Sequence, residues 1–126
     1  MTSIDSLRYP IGQFEKPQHF NPSLITGWIA DISNFPNLLE EEVQQLNDDD
    51  WALTYRPGGW NIKQLVHHCA DSHMNAYIRF KLALTEEQPT IKPYREDLWA
   101  ELPDSQILPI KPSLQIIRGV HFRWTS

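Results

Sequence analysis

Cysteine is almost missing from this chain: Cys69 is the only one in 126 residues, so no intramolecular disulfide can staple the fold. Missing too is any apolar run of the ~18 residues that a membrane span needs. The N-terminal Met1-Thr2-Ser3-Ile4-Asp5 lacks the charged segment and apolar stretch of a secretory leader. The sequence therefore reads as soluble and cytoplasmic, with no membrane partner. Basic runs are absent, since 11 Lys and Arg stand against 16 Asp and Glu for a formal net charge of -5, which argues against nucleic acid as a partner. Period-2 alternation, internal repeats and low-complexity tracts are absent as well, which removes sheet, solenoid and repeat-array readings.

What is there suits one globular domain over residues 1–126. Hydrophobic residues make up 40% and charged ones 21%, with five Trp, enough to build a core. Residues 1 to 20 carry Pro10, Gly12 and Pro17 and read as an irregular arm, pinned to the body by Tyr9-Pro10-Ile11 and Phe14, with His19 exposed. Asn21-Pro22 then supplies a helix start, and Leu24, Ile25, Trp28, Ile29 and Ile32 recur at helical spacing. The period continues through Leu38, Leu39, Val43 and Leu46, which predicts one helix over 22–46 kinked at Pro36, two shorter helices being the alternative. Asn47 to Asp50 form a charged turn, and Tyr55-Arg56-Pro57-Gly58-Gly59 a loop.

The stretch from Asn61 to about Glu86 has no Pro or Gly and predicts a second long helix, begun by a capping box of Asn61 and Gln64. On it Gln64, His68, Asp71, Ser72, Asn75 and Arg79 fall three or four apart along one face. Apolar residues such as Ile62, Leu65, Met74, Ile78, Phe80 and Leu84 fill most of the remaining circumference, as in a buried helix, which would turn the polar stripe toward a cleft. The alternative, which periodicity alone favours, is a stripe that forms the wet side of an amphipathic helix. Cys69 sits among apolar neighbours and reads as a packed thiol. Pro89, Pro93, Pro103, Pro109 and Pro112 break up the next segment, leaving a short helix within 94–102 that turns Leu98 and Trp99 inward. Residues 112–124 open a third long helix, with an apolar stripe at Leu114, Ile117, Val120 or His121, and Trp124.

These residues resemble a known family. The stretch Gly58-Gly59-Trp60-Asn61-Ile62-Lys63-Gln64-Leu65-Val66-His67-His68-Cys69-Ala70-Asp71-Ser72-His73 and its continuation to Glu86 looks like the second helix of DinB-like proteins. Within them it is similar to the branch of metal-dependent hydrolases and bacillithiol transferases. Tyr9-Pro10-Ile11-Gly12, Tyr55-Arg56, Ile91-Lys92-Pro93-Tyr94 and His121-Phe122-Arg123-Trp124-Thr125 extend the likeness along nearly the whole chain. The resemblance implies an all-α, up-and-down four-helix bundle, here with three long helices and the third cut short. It implies a divalent metal, nickel or zinc, held by three histidines, one on the second helix and two in a His-x-x-x-His pair on the last. The second-helix ligand stands eight residues after the helix-opening Trp, which selects His68 over His67. An open position on such a metal activates a water for hydrolysis or a thiol for transfer. The substrate implied is a small molecule or a low-molecular-weight thiol.

The sequence departs from the family in one respect. No His-x-x-x-His pair occurs in the 126 residues, and His121 is the only histidine after His73. The chain resembles the front portion of a family member, which suggests an incomplete reading of a longer gene or a fragment. A shortened pseudo-enzyme, or a chain completed by a second one, would also account for the missing pair. One imidazole alone binds a catalytic ion weakly or not at all. Two expectations stand together: a hydrolase or thiol transferase by descent, inactive in this form, or a catalytically silent helical protein that dimerises through an exposed groove. Arg79 and Lys81 could meet an anionic thiol, or pair with Glu86 or Asp97. Asp71 could support a ligand imidazole, or face solvent or a neighbouring Arg. Trp60, Trp99 and Trp124 read as core aromatics.

Overall fold

A computed structural model describes residues 4–126, with side chains from Ser6 onward. Residues 1–3, part of the expected arm, lie outside the described residues. Among the described residues the secondary structure is helical: α1 (Ile4–Arg8), α2 (Pro22–Gln44), α3 (Ile62–Thr85), α4 (Glu96–Trp99), α5 (Pro103–Gln106) and α6 (Lys111–Trp124), with a 3-10 turn at Asp50–Ala52. Among the described residues no helix is long and apolar enough to cross a membrane.

The starts of the long helices are written in their sequence. The Asn21 side chain accepts from the Leu24 amide at 2.8 Å, and Pro22 occupies the first turn, where its missing N–H is harmless. α2 then runs through Pro36 as one helix, so the two-helix alternative does not hold. In α3 the Asn61 oxygen accepts from the Gln64 amide at 2.8 Å while the Gln64 oxygen accepts from the Asn61 amide at 3.1 Å, a reciprocal cap.

α6 is the shortest of the three long helices, yet it packs on both others: its main partner is α3, and α2 lies on it as well. Its Ile117 is 1% exposed and forms the centre of the core with Val66 and Ala70 of α3, Val43 of α2 and Ala100. Several expectations about burial need correction. Leu65, Ile78, Phe80 and Leu84 of α3 are exposed, because α3 is covered mainly along the face that carries Val66, His67 and Ala70. Leu98 and Trp99 also face outward, and Ala100 is the buried residue there. In the arm, Ile11 is 98% and Phe14 81% exposed, so these side chains do not bury the anchor expected of them, and a short helix, α1, forms where irregular chain was anticipated.

The loop from Leu53 to Ile62 closes on itself through an isolated antiparallel bridge between Thr54 and Asn61 and a bond from the Ile62 amide to the Leu53 carbonyl at 3.0 Å. Within it the Gly59 amide donates to the Arg56 carbonyl at 3.0 Å. Gly58 has φ 72, and a Cβ on Gly59 would stand 2.8 Å from Arg56 Cγ and 3.1 Å from the Arg56 carbonyl oxygen. Both positions therefore need glycine, the first for its left-handed backbone and the second for close approach.

Candidate functional site

Three α3 histidines lie within seven residues, and their hydrogen bonds separate them. His67 is buried; its Nε2–H donates to the Leu108 carbonyl at 2.9 Å, and its Nδ1 accepts from the Ser113 hydroxyl at 2.6 Å. A carbonyl can only accept, so that tautomer is fixed and both nitrogens are used. His67 clamps the α5–α6 connection to α3.

His73 and His121 form a second chain of bonds. His121, 2% exposed, donates from Nδ1–H to the Ile32 carbonyl at 2.6 Å, which leaves its Nε2 to accept from His73 Nδ1–H at 2.6 Å. Phe35 packs against both rings, at 5.2 and 5.3 Å between centroids. Burial, with His121 and His68 nearby, pushes the His73 pKa down to about 4. This pair joins α2, α3 and α6 through one line of bonds. No local signal foretells it, because the partners stand 48 and 89 positions apart in sequence.

His68 is different. It is half-buried, neither ring nitrogen is bonded among the described residues, and its ring lies against Trp60 with centroids 4.6 Å apart. Trp60 is therefore no core aromatic; it forms a wall for the His68 ring. His68 borders a cavity of about 350 Å³ that Arg8, Tyr9, Tyr55, Arg56, Trp60 and Glu96 help to line. Tyr9, Tyr55, Arg56 and Trp60 carry the family likeness without a stated role, and their grouping with Arg8 and Glu96 arises only in the fold, which brings together the α1 end, the Leu53–Ile62 loop and α4.

The rest of the polar stripe is half-buried along its length, so neither a buried cleft nor a fully wet face describes it. Gln64 Nε2 donates to the Ala100 carbonyl at 2.9 Å, and an Arg79 guanidinium N–H donates to the Lys92 carbonyl at 3.1 Å. The stripe is thus the seat of the 90–100 segment. Asp71, next to His68 in the stripe, has its pKa raised, first by burial and then by Asp104, with His68 and His67 acting against. Among the described residues the buried Tyr94 hydroxyl makes no hydrogen bond of good geometry, and burial pushes its pKa up, with Ser72 acting against. Arg79 and Lys81 do not pair with Glu86 or Asp97 as the charges suggested: Lys81 lies over the Tyr77 ring at 5.0 Å, and Asp97 pairs with Arg95 at 3.1 Å. The Cys69 thiol is pushed up to about 11 by burial, as fits a packed cysteine.

The donor set fits a divalent metal only in part. A ligand imidazole must present a free ring nitrogen, and His68 does so beside a cavity. Among the described residues, however, no group of three or more His, Cys, Asp or Glu side chains converges as a full metal site.

The profile of the DinB superfamily matches residues 32–126. A protein of Bacillus cereus strain AH820 named "Putative metal-dependent hydrolase" is 50% identical over 123 residues, which span 98% of this chain and 70% of that protein. A protein of the same name from Bacillus anthracis strain A0248 is similar to the same extent. Among solved structures, YfiT from Bacillus subtilis, described as "a probable metal-dependent hydrolase with an unusual four-helix bundle topology", superposes with a TM-score of 0.92 at 43% identity. The match covers 95% of this chain and 69% of YfiT.

Proposed function

The chain belongs to the DinB superfamily, and from that premise we propose that it is a metal-dependent hydrolase of small molecules whose site is the cavity beside His68. Transfer of a low-molecular-weight thiol of the bacillithiol type is a variant of the same chemistry. Nickel or zinc is the ion we assign. The observation that carries the reading is that His68, alone among His67, His68, His73 and His121, keeps both ring nitrogens free of hydrogen bonds.

When bound, a divalent ion supplies Lewis acidity, which makes a water or thiol easier to deprotonate. His68 supplies one imidazole, and packing against Trp60 restricts its ring. Asp71, three residues along the same stripe, is the neighbouring carboxyl on α3. The test is metal analysis by mass spectrometry after incubation with nickel or zinc. Uptake that His68→Ala removes and that the exposed-loop variant His19→Ala retains, weak because His68 supplies a single imidazole, supports the reading. No uptake, or equal uptake by His68→Ala, overturns it.

A groove of about 530 Å³ lined by Phe14, Ile25, Trp28, Ile29, Phe80 and Trp124 favours a second reading, in which the protein is catalytically silent and dimerises through that face. Absence of metal uptake combined with self-association would select it.

A further inference from the structure

The cavity beside His68 holds two guanidinium groups, Arg8 and Arg56, that form no ion pair among the described residues. Arg8 lies over the Tyr9 ring at 5.3 Å and makes no ion pair there. Arg56 donates to the Tyr55 hydroxyl at 3.3 Å and to the Pro57 carbonyl at 3.1 Å, and lies over the Tyr55 ring at 5.5 Å. Those contacts hold the half-buried Arg56 in place and leave its charge unmatched. Gly58 and Gly59 set the loop, with φ 72 at the first and no room for a Cβ between the second and the Arg56 backbone. Arg56 is thus built into the cavity wall by its own loop.

We propose that Arg8 and Arg56 form the anchor for the carboxylate of a small monoanionic substrate, whose reacting group then lies toward His68. This rests on the reading of the cavity as the substrate site. Guanidinium forks match carboxylate geometry with paired N–H donors, and the bond is strongest where solvent is partly excluded. The remaining charges decide between anions. Glu96 and Asp97 line the same cavity, and Asp97 is tied to Arg95. With Asp97 matched by Arg95, two cations face the one remaining carboxylate, Glu96, a balance that accepts a single added negative charge and that a phosphate dianion exceeds. The acidic residues come from α4 and the cations from α1 and the loop, so the pocket orients a carboxylate as well as attracting it.

The experiment is titration of the metal-free protein with N-acetylglycine, followed by proton–nitrogen NMR at the Trp60 indole and the Arg56 amide. N-acetylglycinamide serves as the neutral probe and inorganic phosphate as the dianion. The expected result is saturable shifts of both signals by N-acetylglycine, with the amide at least tenfold weaker and phosphate no tighter. Arg56→Gln and Arg8→Gln each weaken N-acetylglycine about tenfold with the spectrum otherwise unchanged, whereas Arg118→Gln, outside the cavity, leaves it intact. Equal binding of the amide, tighter binding of phosphate, or indifference to both substitutions would overturn the proposal. His68→Ala is titrated in parallel. Carboxylate binding lost to the Arg variants with metal uptake absent removes the metal reading alone; metal uptake intact with no carboxylate preference removes this inference alone.

Discussion

At the scale of single residues, the histidines show how identical side chains take different tasks from their bonds. The family resemblance selected His68, and nothing in the local sequence assigned His67 or His73 to structural roles. Those roles depend on Ser113, Leu108, His121 and Ile32, brought in by tertiary packing. The His73 pKa of about 4 has a consequence for stability. An unfolded histidine binds its proton near pH 6.5, so between about pH 6.5 and 4 the unfolded state takes up more protons than the folded one. The contribution is therefore fully present above about pH 6.5 and is lost as pH falls toward 4. Solvent reaches part of the ring, which reduces the loss to about 1–2 kcal/mol. Urea unfolding between about pH 7 and pH 5, above most carboxylate titrations, should show this fall. His73→Asn, whose amide can still donate to His121, should flatten it. Identical slopes for the two proteins would show that His73 is not the group responsible.

Among elements, caps were the most legible feature, because a cap is local. Asn21, Pro22, Asn61 and Gln64 announce α2 and α3 to within a residue or two. Burial was much less legible. Leu65, Ile78, Phe80 and Leu84 make α3 look apolar nearly all round, yet only the neighbours a helix meets decide which face is covered, and α3 meets α6, α5 and α4 on limited arcs. The short α5 went unanticipated because four residues carry too little periodicity to register, although Pro103 does stand at its first turn. The α3 cap also closes the Leu53–Ile62 loop, through the bridge from Thr54 to Asn61. Asn61→Ala should therefore lower stability by about 1 kcal/mol, the usual loss for an N-cap. It should also broaden the NMR signals of Trp60 and Arg56, next to the released cap. A change in the denaturation midpoint with the loop signals unaltered would mean that the loop does not depend on the cap.

For the whole molecule, the long helices and their order followed from period and start signals, and the bundle from the family resemblance. The way they pack did not. α6, the shortest of the three, holds α2 and α3 together through Ile117 and the His73–His121 pair; its apolar stripe marked a packing face, and only the fold shows which helices that face meets. Packing α2 against α6 leaves the outer face of α2 open. Ile25 is 43% and Ile29 46% exposed, and with Trp28, Phe80 and Trp124 they line the apolar groove. An apolar groove walled by large side chains on an otherwise open helix face is a surface that a second copy can cover. The 126-residue polypeptide should accordingly self-associate, with an apparent mass in light scattering that rises with concentration. Ile29 is already half in water, so Ile29→Glu should leave the helical content unchanged while placing a carboxylate in the groove. We expect that substitution to weaken association at least tenfold, since an unpaired charge cannot be buried cheaply. If the unsubstituted protein stays monomeric at every concentration, or if Ile29→Glu associates equally well, the groove is not the contact surface.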